Sequence, residues 1–536
     1  MLPAEAHESL HAMGGMVAAP HQLAAEAGRE VLAEGGNAIE AMVAAAAAIA
    51  VVYPHMNHVG GDGFWLIREP SGRVRYIEAC GFAGARATIP FYHDLGLGAV
   101  PTRGPLAAVT VPGAVDGWRL ALEAAAVHGG RMTLKRLLEP AVRHAREGVA
   151  VSRSQAALTA QKKAELEDAP GFAAAFLTPD RAVPKAGTLQ RQQRLADTLD
   201  HLARAGLADF YRGDVGREIG TDLERIGSPV TREDLKRYAA VERPPLAVDI
   251  GAGRLFNAPP PTQGLASLLI LALFDRLKVK RGDSFEHVHG LIEATKRAFL
   301  VRDKVVCDYD HLTHDLAALL TPEAIAKRAD GIEMGRALPW PQGKAGGDTV
   351  WLGAADKSGL MVSYIQSIFF EFGSGCVLPS TGVLMQNRGA SFSLEPGALN
   401  PLTPGRRPFH TLNPALAVLA DGRVMAYGTM GGEGQPQTQS AVFSRHVLFG
   451  VPLGEAIARP RWLLGRTWGD VETRLRLEPR FDDEVVERLK LVGHDLALVP
   501  DAYSDTMGHA GAVVLHPGGR IEGAHDPRSD GGAAGV

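Results

Sequence analysis

A hydroxyl at the head of an apolar run becomes a usable nucleophile when an amine is delivered beside it. The run Asp348-Thr349-Val350-Trp351-Leu352 offers that chemistry. A threonine hydroxyl is weak unless a base lies within hydrogen-bond reach. Scission just before Thr349 would supply one, because an unperturbed α-amine titrates near ~7.7–8.0, close to working pH. The same hydroxyl can make the cut, attacking the Asp348 carbonyl to give an ester that water then opens. Gly346 and Gly347 allow the strained backbone this needs. A second piece is Gly428-Thr429-Met430-Gly431-Gly432-Glu433-Gly434-Gln435-Pro436, where a glycine pair after a strand can turn N–H groups toward a developing oxyanion. Taken singly, each feature is commonplace. Glycine pairs usually mark turns, and threonine after aspartate is frequent at strand starts.

The elements around Thr349 predict how it is held. Val350 to Ala355 and Leu360 to Ile368 read as two strands around the polar turn Lys357-Ser358-Gly359. With Gly359 left-handed, Asp356 faces Leu360, and counting outward sets Thr349 opposite Ser367 on one face. Ser367 could then hold the nucleophile in one rotamer. A one-residue slip would break that pairing.

Upstream, His21 to Leu32 and Ala38 to Val52 carry helical spacing, separated by the glycine stop Glu34-Gly35-Gly36-Asn37. Gly60-Gly61-Asp62-Gly63 turns into an apolar strand, which forms a hairpin with Val74 to Glu78. Thr133 to Ala240 is mainly helical and charged. The three prolines of Asn257 to Gly264 exclude regular structure there. Helices at Leu265–Leu277 and Phe285–Arg302 follow, then a Pro339 to Gly347 loop. Strands at Ala415–Leu419, Val424–Gly428 and Gly511–Leu515 and a helix at Asp482–Leu491 complete the reading. Helices first and a mixed sheet later predict an α+β architecture.

At 536 residues, with 46% hydrophobic and 22% charged residues, the chain can bury a large core. A net charge of -4 without a basic block argues against a nucleic-acid partner. Cys80, Cys307 and Cys376 are too few for a disulfide framework or a thiolate metal site. The start lacks a basic, apolar leader, and Ala41 to Tyr53 is too short to span a bilayer. These features predict a soluble, cytoplasmic protein with no membrane contact. His55/His58 and His287/His289 lack a third ligand in the sequence and read as ordinary hydrogen-bonding histidines, so no metal or cofactor is expected.

Several blocks in order resemble the gamma-glutamyltranspeptidase family of N-terminal-nucleophile hydrolases. They are Gly15–His21 through Gly28, Glu34–Ala38, Val111–Gly117, Asn257–Gly264, Glu293–Phe299 and Asp526–Asp530, and together they span nearly the whole chain. The resemblance implies a four-layer αββα sandwich made from a large fragment 1–348 and a small fragment 349–536, which stay associated after the cut. It implies Thr349 as nucleophile and new N-terminus, Ser367 where the family has a supporting threonine, Gly431 and Gly432 as the oxyanion pair, and Arg86 as the substrate-carboxylate arginine. The departures bear on substrate. Ser391 stands where glutathione-directed relatives have an acid, Phe369 where they have asparagine, Arg388 where they have glutamine, and His410-Thr411 where they have paired serines. Loss of an acid and gain of a cation favour an anion over an ammonium. The segments holding Asn387, Arg388, His410 and Thr411 resemble the branch that includes oxamate amidohydrolase, which implies a small carboxylate-bearing amide as substrate. A true gamma-glutamyltransferase or glutathione hydrolase, and an uncleaved binding protein on the same fold, stay open beside it. Without the resemblance, Arg86 and Arg388 would read as structural ion-pair partners.

Overall fold

The computed structural model describes residues 7–340, 348–465 and 474–536. Gly346 and Gly347 lie outside the described residues, as does most of the Pro339 to Gly347 loop. Thr349 sits in a seven-stranded sheet whose spatial order is Gly532–Gly535, Gly15–Ala19, Asp348–Asp356, Met361–Phe369, Asp62–Arg68, Val74–Ala79 and Val241–Arg243. A second seven-stranded sheet runs Leu10–Ala12, Ile521–His525, Ala510–Leu515, Val424–Thr429, Ala415–Leu419, Gly253–Asn257 and Leu246–Ile250. Every neighbouring pair in both sheets is antiparallel. Each sheet contains strands from both sides of residue 348.

Side-chain alternation along the Thr349 strand sets the layers. Val350, Leu352 and Ala354 face outward and pack with the helix Ala38–Val52. Trp351 and Ala355 face inward and pack with Leu416, Ala426 and Val513 of the second sheet. The helices Gly264–Leu277, Phe285–Val305 and Gly434–Phe443 cover that sheet's outer face. The result is a sandwich of two sheets flanked by helices on both outer faces. Trp351 holds the sheets in register by lying against glycine. A Cβ on Gly428 would fall 2.1 Å from its Cδ1, and its Nε1–H donates to Ser363 Oγ at 2.9 Å.

The local signals translate directly into these elements. The helix Ala38–Val52 begins at an Asn37–Glu40 capping box, and all of it is buried, which suits its run of alanines. Asp356 ties this helix to the hairpin, its Oδ2 accepting from Ala38 N–H at 2.9 Å and its Oδ1 from Ser358 N–H at 2.8 Å. Gly359 has φ +86°, as the turn requires. The predicted register holds from Ala355 opposite Met361 to Val350 opposite Gln366, then shifts so that Asp348 opposes Phe369. Thr349 therefore faces a bulge on the partner strand, where Ser367 and Ile368 together stand opposite it, in place of the one-to-one pairing with Ser367 that the counted register gave. The cause lies on the partner strand, where Phe369 leaves extended geometry at φ +82°.

The C-terminal block Asp526 to Asp530 forms a buried ion network. Arg528 meets Glu478 at 2.5 Å and Asp526 at 3.0 Å, while Arg461 meets the other Asp526 oxygen at 2.5 Å. Asp526 also accepts from Ala510 N–H at 2.6 Å, at the start of the strand that pairs with Gly428 and Thr429. Burial alone would raise the Asp526 carboxyl, but Arg461 and Arg528 hold it below the ordinary carboxylate range. Arg528→Leu removes the cation shared by Glu478 and Asp526, which keep Arg480 and Arg461 as partners, and removing one member of such a buried set costs up to about 3–5 kcal/mol. Its urea midpoint should fall by the corresponding amount at pH 7. Because the folded-state value is depressed, the native network stabilises above the unfolded value near ~3.9, and that contribution disappears as pH falls through the folded value. The gap between Arg528→Leu and the native chain should therefore narrow under acid.

Candidate active site

Thr349 is fully buried in the strand Asp348–Asp356. Its Oγ1 accepts a hydrogen bond from Gln435 Nε2 at 3.1 Å. Gln435 lies in the first turn of the helix Gly434–Phe443, which follows directly on Gly431 and Gly432. Those glycines have φ +113° and +54°, and among the described residues neither N–H is taken by a backbone acceptor. Gly434 N–H instead donates to Gly431 O at 2.8 Å, closing the turn with both amides ahead of the helix. Such a pair can stabilise an oxyanion beside the threonine.

Gln263, from the Pro-rich stretch, fastens this turn. Its Nε2 donates to Gly432 O at 2.9 Å and to Thr411 O at 2.7 Å, and its Oε1 accepts from Arg302 Nη1 at 2.9 Å. Arg302 also pairs with Glu433 at 2.7 Å. Asn413 continues the chain, donating to Gln435 Oε1 at 3.2 Å and to Thr411 O at 2.9 Å. A continuous set of hydrogen bonds thus runs from the Thr349 hydroxyl to Thr411.

Thr411 leads to Arg388, whose Nη1 lies 3.5 Å from Thr411 Oγ1. Arg388 is buried with its guanidinium carbon 4.0 Å from the centre of the Phe369 ring. Its Nε and Nη2 make no hydrogen bond, and no carboxylate forms an ion pair with it among the described residues. Both ring nitrogens of buried His410 are also unpartnered among the described residues, and its Nε2 lies 3.6 Å from Asp62 Oδ2. Burial, aided by Arg388 and Arg407, keeps His410 well below its ordinary value, so the imidazole is neutral. Asp62 stands opposite Ser367 in the adjoining strand pair. Ser367 is buried, and its Oγ accepts from Phe369 N–H at 2.8 Å.

Two predicted binding residues are placed elsewhere. Arg86 is exposed on the turn after Gly84, its backbone N–H donating to Pro229 O, whereas Arg388 is buried. Asn387 is close in sequence but has its amide engaged, accepting from Phe370 N–H at 3.0 Å and donating to Thr102 O at 2.8 Å. These two bonds tie it to the loop. Conversely, Asp62, Gln263, Asn413 and Gln435 had no role in the sequence reading. The Gly60–Gly63 run, which reads as a turn, was the available signal for Asp62.

His55, His58 and His287 make ordinary hydrogen bonds, to Ser154, Leu384 N–H and Ser444 respectively. His289 also makes ordinary hydrogen bonds, to His494 and to Glu333 O, each at 2.9 Å, but it has ligand-type neighbours that the sequence did not show. Glu293 and His494 join it, with ligand-type atoms within 4.8 Å of one another. The Lys296 ammonium already bonds this group, at 2.8 Å from Glu293 and 3.4 Å from His494, and fills the place a cation would take. Among the described residues, no helix is long and apolar enough to cross a membrane.

Two facing sheets between helix layers, with a buried threonine at the head of a central strand, define an N-terminal-nucleophile hydrolase. The family described as Gamma-glutamyltranspeptidase matches residues 24–536, and the chain belongs to that family, as a hydrolase or acyltransferase of its type. It is 52% identical over 530 residues to the oxamate amidohydrolase proenzyme of Klebsiella pneumoniae, covering 99% of this chain and 100% of that one. It is 40% identical to the glutathione hydrolase-like YwrD proenzyme of Bacillus subtilis, covering 97% and 98%. Among solved structures, the cephalosporin acylase from Bacillus halodurans superimposes with a TM-score of 0.89 at 32% identity, covering 99% of this chain and 97% of that one.

Proposed function

We propose that the chain cuts itself between Asp348 and Thr349 and then hydrolyses a small carboxylate-bearing amide of the oxamate type. In this reading fragments 1–348 and 349–536 remain together, since strands of both are interleaved in each sheet. The freed α-amine of Thr349 accepts the proton of its own hydroxyl as Oγ1 attacks the substrate carbonyl. Gly431 and Gly432 N–H groups receive the oxyanion, and Gln435 and Ser367 orient the threonine. The amine returns the proton to the leaving nitrogen, which departs as ammonia. Water then opens the acyl-threonine ester, releasing a dicarboxylate and restoring Thr349.

The observation that carries the substrate reading is the hydrogen-bonded path from Thr349 Oγ1 through Gln435, Asn413 and Thr411 to a buried Arg388 that has no carboxylate partner among the described residues. A buried fork with free donors suits a carboxylate bidentately. The 52% identity to an oxamate amidohydrolase supports the same class. A second reading, a gamma-glutamyl substrate, draws on the bare Oδ2 of Asp62, which could take an ammonium. A panel of oxamate, glutathione, gamma-glutamyl-p-nitroanilide and a glutaryl β-lactam decides between them. Oxamate should dominate in kcat/KM; rapid turnover of the anilide with none of oxamate rejects the proposal.

A further inference from the structure

We propose that Asp62 is a specificity-determining residue that gates the acyl pocket by protonation, opening Arg388 to the substrate carboxylate only when Asp62 is neutral. This rests on the carboxylate reading of the pocket given above. Asp62 is buried at the start of its strand, and its two oxygens are treated very differently. Oδ1 accepts three hydrogen bonds, from Gly81 N–H at 3.0 Å, Gly113 N–H at 3.1 Å and Gln386 Nε2 at 3.0 Å. Oδ2 accepts none among the described residues and faces His410. A proton on Asp62 therefore belongs on Oδ2, the oxygen with no competing donors. Arg388 is close enough to act on this carboxyl electrostatically but forms no ion pair with it.

Of the titratable groups on the elements packed against Asp62, Glu78 is also pushed up to about 7 by burial and pairs with Arg407 at 3.1 Å and Arg243 at 3.3 Å, while the others hold their charge near neutrality. Cys80, Tyr211, Tyr238 and Tyr364 are pushed up by burial and stay protonated. His410 stays neutral. Burial lowers the Arg388 guanidinium, which nonetheless remains a cation at neutral pH. Asp62 itself is pushed up to about 7 by burial, with Gln386, the Gly81 amide and Arg388 pulling the other way. Below that value the pocket carries the Arg388 charge alone and attracts a carboxylate. Above it the pocket is electroneutral, and a substrate anion must displace the Asp62 charge or bring a proton with it.

The test is the pH dependence of KM against kcat for oxamate on the processed enzyme between pH 6 and 9. In the native protein KM should rise by about tenfold per pH unit once Asp62 ionises, while kcat follows the Thr349 amine. In Asp62→Asn, where the amide oxygen can keep the Oδ1 bonds, KM should stay flat from pH 6 to pH 8, where native KM already rises. At pH 8.5 the variant should bind oxamate more tightly than the native enzyme. Native KM that is flat over this range, or weaker oxamate binding by Asp62→Asn at pH 8.5, overturns the gate while leaving the oxamate reading intact. Absence of oxamate turnover at every pH rejects that reading and the gate with it. If the variant does not fold, calorimetry of the native enzyme with oxalate at pH 8 in buffers of different ionisation heat decides. Uptake near one proton per oxalate is expected, and zero uptake overturns the proposal.

Discussion

Thr349→Ala should run on a denaturing gel as one 56.9 kDa band, and it should turn over no substrate. The native protein should show two bands of roughly 37 and 20 kDa, in proportion to 348 and 188 of 536 residues. The argument is that one oxygen serves two reactions. Alanine removes the atom that attacks the Asp348 carbonyl, so the amine that would act as base is never released. Both losses should be complete, because Thr349 is enclosed and the Gln435 amide that bonds its hydroxyl has no nucleophile to offer. Thr349→Ser separates the steps. It keeps the hydroxyl but loses the methyl that packing opposite a bulge uses to fix the rotamer, so cutting should slow yet proceed. N-terminal sequencing of the small fragment should then read Ser-Val-Trp, and Thr-Val-Trp in the native protein. A single intact native band that still hydrolyses substrate would falsify the mechanism.

Much of the scaffold was legible because it is written in local signals. The capping residues Asn37 and Glu40, the turn glycine Gly359 and the alternation of Val350 to Ala355 each act within a few residues, and the elements start and stop where those signals stand. Thr349 was singled out for a different reason, since a blockwise resemblance proposes it as the nucleophile whatever its surroundings. What sequence reasoning could not reach were contacts made across the sandwich. Gln435 is 86 residues from Thr349, and Gln386 is 324 residues from the Asp62 it bonds. The bulge opposite Thr349 is likewise a response to Phe369 on the neighbouring strand, and no count along one strand reveals it. The arginines show the same limit. Arg86 and Arg388 are alike as letters, but Arg86 is exposed on a turn, whereas Arg388 is sealed between Phe369 and Thr411.

That difference makes Arg388→Met the sharper test of substrate. A structural arginine is paired, and its loss destabilises the protein. Arg388 is buried with Nε and Nη2 unmatched and no carboxylate partner among the described residues, so its desolvation is offset only in part, by the Phe369 ring, Thr411 and the nearby Asp62. Replacing it with an apolar side chain of similar length should leave the melting temperature unchanged or raise it, as removal of a strained functional group does. Activity should move the other way. Truncating one partner of a buried charge pair costs about 2–5 kcal/mol, so kcat/KM for oxamate should fall by about thirty- to several-thousand-fold. Arg388→Lys should recover only part of this, because an ammonium restores the charge but not the planar fork over Phe369. The two readouts must diverge for the argument to hold. A variant that loses stability and activity together would mark Arg388 as a structural residue and move the carboxylate site elsewhere. A variant more stable than the native protein and inactive on oxamate would place the substrate's charge on this side chain.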